Sequence, residues 1–262
     1  MAEPIQGAQV IRRVGRVLRV VSEHAPRGVS TTEVAQQTGL TRPTTHRLLT
    51  SLAAEGFLDL DNSHGRWFLG PELYLMGALA AERHNISDFA QSSVELLARE
   101  TGESAFLSAR QGYETICLLR EEGSFPVRSF VLHEGVRFPL GVASAGLAIL
   151  SFLSPAEAEA YLARDLLEAE WGASHAIPVL RQRIVETRQH GYAVNPGLIV
   201  EGSWGMGAAV FDEYCRPGWA LSLTGIESRF STSRRPELGR LLLEQAHVIT
   251  KKLKNRSTVG RR

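Results

Sequence analysis

The sequence predicts an α+β fold in two parts: a small helical head closed by a β-hairpin, and a larger α/β body. Three observations predict it. The first fifty-five residues hold three helical patterns separated by Pro and Gly, and FLDLDNSHGRWFLG then places two short apolar runs around a four-residue turn. From Thr101 onward, strand-like runs alternate with helical ones. Charge also divides unevenly: residues 1–70 carry a net +2, residues 71–250 a net −7 and residues 251–262 a net +6.

In the head, Val10, Ile11, Val14, Val17, Leu18 and Val21 recur at helical spacing over residues 9–24, with arginines between them, until Pro26 and Gly28 end the helix. Ser30 reads as an N-cap, and Glu33 three residues on completes a capping box. The short helix 31–38 stops at Gly39, a residue free to take a positive φ and turn the chain. Thr41 caps the next helix, Pro43 lies in its first turn and Gly56 ends it. The hairpin turn is Asn62-Ser63-His64-Gly65. A helix from Glu72 to Arg83 links head to body, and a second from Ser87 to Glu100 follows an interruption at His84-Asn85.

In the body, SAFLSAR, YETICLLRE and VRSFVLH read as strands, and ASAGLAILSFL reads as a helix. Helices near 155–163 and 175–190 follow. GYAVN, WGMGAAVFD and GWALSLTG then read as strands, and ELGRLLLEQAHVITKKL as a closing amphipathic helix. The expectation is a mainly antiparallel sheet with helices packed on it. The domain boundaries expected are 1–70 for the head, 71–84 for the linker helix, 85–254 for the body and 255–262 for a disordered basic tail.

Composition narrows the function. A chain of 262 residues with 44% hydrophobic content has ample material for a core. No apolar run is long enough to span a bilayer and the start, MAEPIQGAQVIRR, lacks the apolar segment of a secretory signal, so no membrane partner and a cytoplasmic location are expected. Cys117 and Cys215 lie far apart and outside any CxxC spacing, which argues against a disulfide framework or a structural zinc site. Arg12, Arg13, Arg16, Arg19 and Arg27 meet a single acid, Glu23. A basic head and tail on an acidic body suit a polyanionic partner at the ends only.

The helix after Gly39 carries the sharpest signal. On a wheel of about 100° per residue, Leu48, Thr45, Leu49 and Leu52 form one stripe, and Pro43, His46, Arg47, Thr50 and Ala54 point the other way. Arg42 and Thr44 flank them. With the small Ala35 and the Gly39 turn, these are the spacings of a helix-turn-helix, whose second helix enters the major groove of double-stranded DNA. The candidate DNA-binding residues are therefore Thr41, Arg42, Thr44, His46, Arg47 and Thr50. His64 and Arg66 join them on the hairpin, which would serve as a wing. The plainer alternative is an ordinary helical pair with a solvated polar face.

Other motifs fail on context. GSWGMG at 202–207 has the glycines of a phosphate loop, but a strand follows it rather than a helix. No GxSxG elbow marks a nucleophile, Cys117 sits in an apolar strand, and the histidines show no metal spacing. No catalytic residue, metal site or cofactor is expected.

Taken together, VGRVLRVV, EVAQQTGLTRPTTHRLLTSLAAEGFL, RWFLGPEL, GVRFPLGVASAGLAIL, GYAVNPGLIVEGSWGMGAAVFD and PGWALSLTG resemble the IclR (isocitrate-lyase-regulator) family of bacterial transcription factors over nearly the whole chain. The resemblance implies an N-terminal winged helix-turn-helix joined by the linker helix to a GAF-like α/β effector domain. It implies a homodimer or dimer of dimers on a partly palindromic operator near a catabolic promoter, with RNA polymerase as a further partner. It also implies a small-molecule effector between the sheet and the helix after the PL motif. That maps effector-binding positions to Ser144, Ala145, Asn195, Ser203, Gly205, Ser222 and Thr224, with Val127 and Phe130 as further lining residues.

The chain departs from the family pattern where a His and a Lys are usual, having Gly141 and Leu147; the acidic run after GYAV is NPGLIVE, and the usual Cys is Gly205. Fewer charges, with Trp204 and Met206 nearby, suggest a more apolar effector such as an aromatic acid, unless those two side chains merely fill the core. Arg128 is a candidate for pairing a ligand carboxylate. The competing reading is a GAF-like sensor or enzyme whose basic head serves a partner other than DNA.

Overall fold

Val17, Val20 and Val21 on α1 (Gln9–Glu23) seed the first core, which is completed by Val34, Leu49, Leu52, Leu58 and Trp67. In the computed structural model, which describes residues 9–25, 27–83, 86–127, 130–164 and 167–259, this core belongs to the first of two units, Met1–Asn85 and Ile86–Arg262. Its elements are α1, β1 (Val29–Ser30), α2 (Thr31–Thr38), α3 (Arg42–Ala54), β2 (Leu58–Asp61), β3 (Arg66–Leu69) and α4 (Pro71–Arg83). The three strands form an antiparallel sheet in the order β1-β3-β2.

Local chemistry sets the boundaries. The Ser30 side chain accepts from Glu33 N and the Glu33 carboxylate accepts from Ser30 N, so the predicted capping box is present. Gly39 takes φ +66°, and a Cβ there would meet nothing, so the need is conformational rather than steric. Thr41 occupies the N-cap position of α3 but does not cap with its side chain. Its hydroxyl instead donates to Thr44 Oγ1 at 2.9 Å. The hairpin turns where expected, and Asp61 Oδ1 accepts from Ser63 N inside the turn.

The second unit is a six-stranded antiparallel sheet in the order β6-β5-β4-β9-β8-β7. The strands are β4 (Ser104–Gln111), β5 (Glu114–Glu121), β6 (Arg137–Pro139), β7 (Ala193–Pro196), β8 (Ser203–Phe211) and β9 (Pro217–Ile226). Helices α5 (Ile86–Thr101) and α10 (Arg235–Val259) cover one face, where Leu97, Leu107, Met206, Leu221, Leu223 and Leu242 are buried. Helices α6 (Ser144–Ser151), α7 (Pro155–Leu162), α8 (Leu167–Trp171) and α9 (Ile177–His190) contribute to the core of the opposite face, which includes Phe106, Leu140, Leu147, Leu180 and Ala220. The buried sheet reads as alternation: on β9, Ala220, Ser222 and Thr224 face α6, and Leu221 and Leu223 face away.

Three expectations are corrected. The described residues of VRSFVLH, 127 and 130–133, form no strand: β5's open edge is taken instead by Arg137–Pro139, with Cys117 N donating to Val136 O, and Val127 and Phe130 stay exposed. Met206 does not lie near the ligand region but fills the core on the α5/α10 face. Helix α10 continues to Val259, past the Asn255 where a disordered tail was expected to begin. Arg128 and residues 260–262 lie outside the described residues.

Candidate functional site

Two regions carry the candidate chemistry. On α3, Thr45 is fully buried and donates to Thr41 O, and Leu49 and Leu52 are buried beside it. Arg42, Pro43, His46, Arg47 and Thr50 are exposed and Thr44 is half-buried, as the wheel requires. Arg42 and Arg47 make no ion pair among the described residues, so both guanidiniums face solvent uncompensated. The wing candidates are partly committed. His64 Nδ1 lies 2.7 Å from Asp61 Oδ2. This contact and Ser63 N hold the Asp61 carboxyl below its ordinary range. Arg66 donates to Gly28 O at 2.9 Å and lies 3.8 Å from Glu33, so it braces the head as well as edging the wing.

The second region is a cavity under the N-terminus of α6. Two glycines of β8 let α6 pack closely beside it: a Cβ on Gly207 would sit 2.9 Å from the Ser144 carbonyl carbon, and one on Gly205 would sit 3.1 Å from Ser144 Oγ. Ser144, Ala145, Asn195, Ser203, Gly205, Ser222 and Thr224 all line this one space. Val127 and Phe130 do not; they are 54% and 73% exposed outside it. The lining also includes Ser108, Thr115, Leu132, Phe138 and Ile199, which sequence reasoning missed. Ser108 carried a signal, since it is a polar residue on the same face of β4 as Phe106.

The cavity is small, about 30 Å³, and its lining includes no charged side chain. Ser222 Oγ and Thr224 Oγ1 are buried there without a hydrogen-bond partner. A buried hydroxyl left unpaired is costly, so both are suited to meet a ligand. Ala143, Ser144 and Ala145, at the N-terminus of α6, line the same space, and the N-cap Ala143 offers no side-chain acceptor. Asn195 behaves differently: its Nδ2 donates to Val142 O at 2.7 Å and its Oδ1 accepts from Leu198 N at 2.9 Å. It shapes the wall with both ends of its amide.

Three successive carbonyls lead into α6, and each is held by a side chain from a different element. Tyr161 on α7 donates to Leu140 O, Arg183 on α9 to Gly141 O and Asn195 on β7 to Val142 O. Burial pushes the Arg183 guanidinium down to about 10, so it stays cationic at neutral pH. His175, fully buried, donates from Nδ1 to Trp171 O, and desolvation lowers its pKa and favours the neutral ring. Burial pushes the Cys117 thiol up to about 12, which makes it a poor nucleophile.

The chain matches known proteins over both units. The model described as the IclR helix-turn-helix domain matches residues 10–62, and that described as bacterial transcriptional regulator IclR C-terminal matches residues 78–251. The HTH-type transcriptional regulator KipR of Bacillus subtilis is 32% identical over 231 residues, covering 88% of this chain and 91% of that protein. The transcriptional repressor IclR of Escherichia coli is 29% identical over 225 residues, covering 85% and 82%. The fold matches the IclR transcriptional regulator of Alicyclobacillus acidocaldarius with a TM-score of 0.77 at 24% identity, covering 92% of this chain and 97% of that one. It also matches an IclR homologue of Microbacterium hydrocarbonoxydans, crystallised with 4-hydroxybenzoate, with a TM-score of 0.75 at 21% identity, covering 94% and 100%.

Proposed function

The chain belongs to the IclR family of bacterial transcriptional regulators, and from that premise we propose that it regulates a catabolic operon by binding a partly palindromic operator under the control of a small organic acid. It is a regulator and not an enzyme, as its relatives are named. What carries the reading is one pairing within a single chain: an α3 face with two uncompensated arginines, and a cavity with two unpartnered buried hydroxyls.

Thr41, Arg42, Thr44, His46, Arg47 and Thr50 meet the major groove, with His64 and Arg66 on the wing. Arginine forks read guanine edges, and hydroxyls meet phosphate or thymine methyl groups. Two heads spaced about 34 Å apart, or a multiple of that, engage the half-sites. The homodimer draws support from the apolar surface of α4, where Tyr74, Leu75, Met76 and Leu79 are all more than half exposed. The effector's carboxylate sits against the α6 N-terminus, where backbone N–H groups and the helix dipole favour an anion without a cationic side chain. Ser222 and Thr224 hydroxyls complete its hydrogen bonds, and Phe138 and Ile199 flank an apolar or aromatic body.

Binding one arrangement of the heads better than another shifts DNA affinity. Gel shift and footprinting on the gene's own upstream region test this, with and without aromatic acids, 4-hydroxybenzoate first. A protected, dyad-symmetric site whose occupancy changes with a ligand is expected. Absence of any retarded band at low salt would overturn the reading.

A further inference from the structure

A second space lies outside the effector cavity, wrapped around the β7 edge of the sheet. It is a groove of about 540 Å³ between α9, β7 and the start of α10. That volume falls in the range of roughly 300–1,000 Å³ typical of small-molecule pockets. Its chemistry is not that of a neutral crevice. Arg183 and Arg235 line it together with Trp204 and Tyr192. The Arg235 guanidinium lies 4.6 Å above the Trp204 ring, and its Nε donates to Phe230 O. Arg183 spends only Nη1, on Gly141 O at 3.3 Å; its Nε and Nη2 have no partner. One acid, Glu186, lies on the same wall, where its carboxylate accepts from Gln182.

A side chain 9% exposed that carries a full charge and two buried nitrogens without a hydrogen-bond partner is energetically unfinished. A carboxylate presents the acceptors a guanidinium fork lacks. An aromatic ring beside it would extend the stack that Trp204 and Arg235 begin.

We propose that this groove is a second ligand site, selective for a small planar organic anion, which it holds by Arg183 and Arg235 with the ring against Trp204. The site is separate from the effector cavity, and the proposal stands whatever that cavity binds. It is nevertheless placed to influence it. Trp204 borders both spaces, and Arg183 holds Gly141 O in the segment that lines the cavity. An anion that redirects the Arg183 fork loosens that carbonyl, so occupancy outside alters the wall inside.

Calorimetric titration of the full-length protein with benzoate tests the proposal. The expected isotherm has a component that Arg235→Gln weakens by about tenfold or more and that Ser222→Val, in the inner cavity, leaves within about threefold. Arg235 lies at the groove surface, so its replacement leaves the core intact, and thermal melting of each variant verifies the fold. Acetate in place of benzoate should lose most of that component, because it has no ring to stack. An isotherm in which every component survives Arg235→Gln, one abolished by Ser222→Val alone, or no binding at all up to about 10 mM benzoate overturns the proposal. Equal affinity for acetate overturns its planar selectivity.

Discussion

Arg47 and Thr45 stand two residues apart on α3 and face opposite worlds, one exposed and the other at 0% exposure. Arg47→Ala should weaken specific operator binding by about 1–3 kcal/mol and relax sequence preference at one base pair, read by fluorescence anisotropy on a panel of operator variants. An unchanged affinity and footprint would remove α3 from the interface. Gly207 is the residue on which α6 rests, since a methyl group there meets Ser144 backbone at 2.9 Å. Gly207→Ala should destabilise the protein by about 1–3 kcal/mol in urea titration, because backbone rather than a flexible side chain must give way. The split of α3 was legible because a helix wheel needs no tertiary information. Arg183 was not singled out, although the pattern offered a hint: Leu180, Arg183, Ile184 and Thr187 form one buried stripe at i, i+3, i+4 and i+7. An arginine in such a stripe is easily taken for one more surface charge.

At the scale of elements, capping chemistry makes a pH-dependent prediction. The Ser30 backbone N–H and hydroxyl hold the Glu33 carboxyl below its ordinary value of 4.5. A depressed folded-state pKa contributes stability above the unfolded value and loses it as pH falls through the folded one. The stability advantage of the native protein over Glu33→Gln should therefore be full near neutrality and shrink below about pH 4.5, measured by thermal melting across pH. Most elements were legible from periodicity and punctuation: Gly39, Gly56 and Gly65 mark the head, and alternation marks β4, β8 and β9. Two of the failures, VRSFVLH and Met206, share one cause. VRSFVLH has strand-like composition, but the β5 edge it would need pairs with Arg137–Pro139 instead. Which of two neighbouring segments wins an edge is settled by tertiary fit, and local pattern does not hold that information. Likewise, Met206 is placed by which face of β8 receives α6, and the two glycines at 205 and 207 decide that.

For the whole molecule, the homodimer proposed above would tie the exposed apolar side chains of α4 to DNA binding. Leu79→Glu, at a position 69% exposed in the single chain, should leave the fold intact, lower the sedimentation coefficient toward the monomer and weaken operator binding through lost bivalency. The inner cavity has a consequence for timing. At about 30 Å³ it holds about two water molecules, far less than a benzoate-sized body. Taking the benzoate-sized effector proposed above would require the site to swell before or while it fills, against the three side chains that hold the Leu140, Gly141 and Val142 carbonyls. Stopped-flow mixing with an effector should show an observed rate that rises and then levels off with ligand concentration, its plateau being the opening rate. A rate that climbs linearly without limit would mean the door was never shut. With a plateau, the regulator's response time is set by how quickly its own wall lets go, rather than by how often the metabolite arrives.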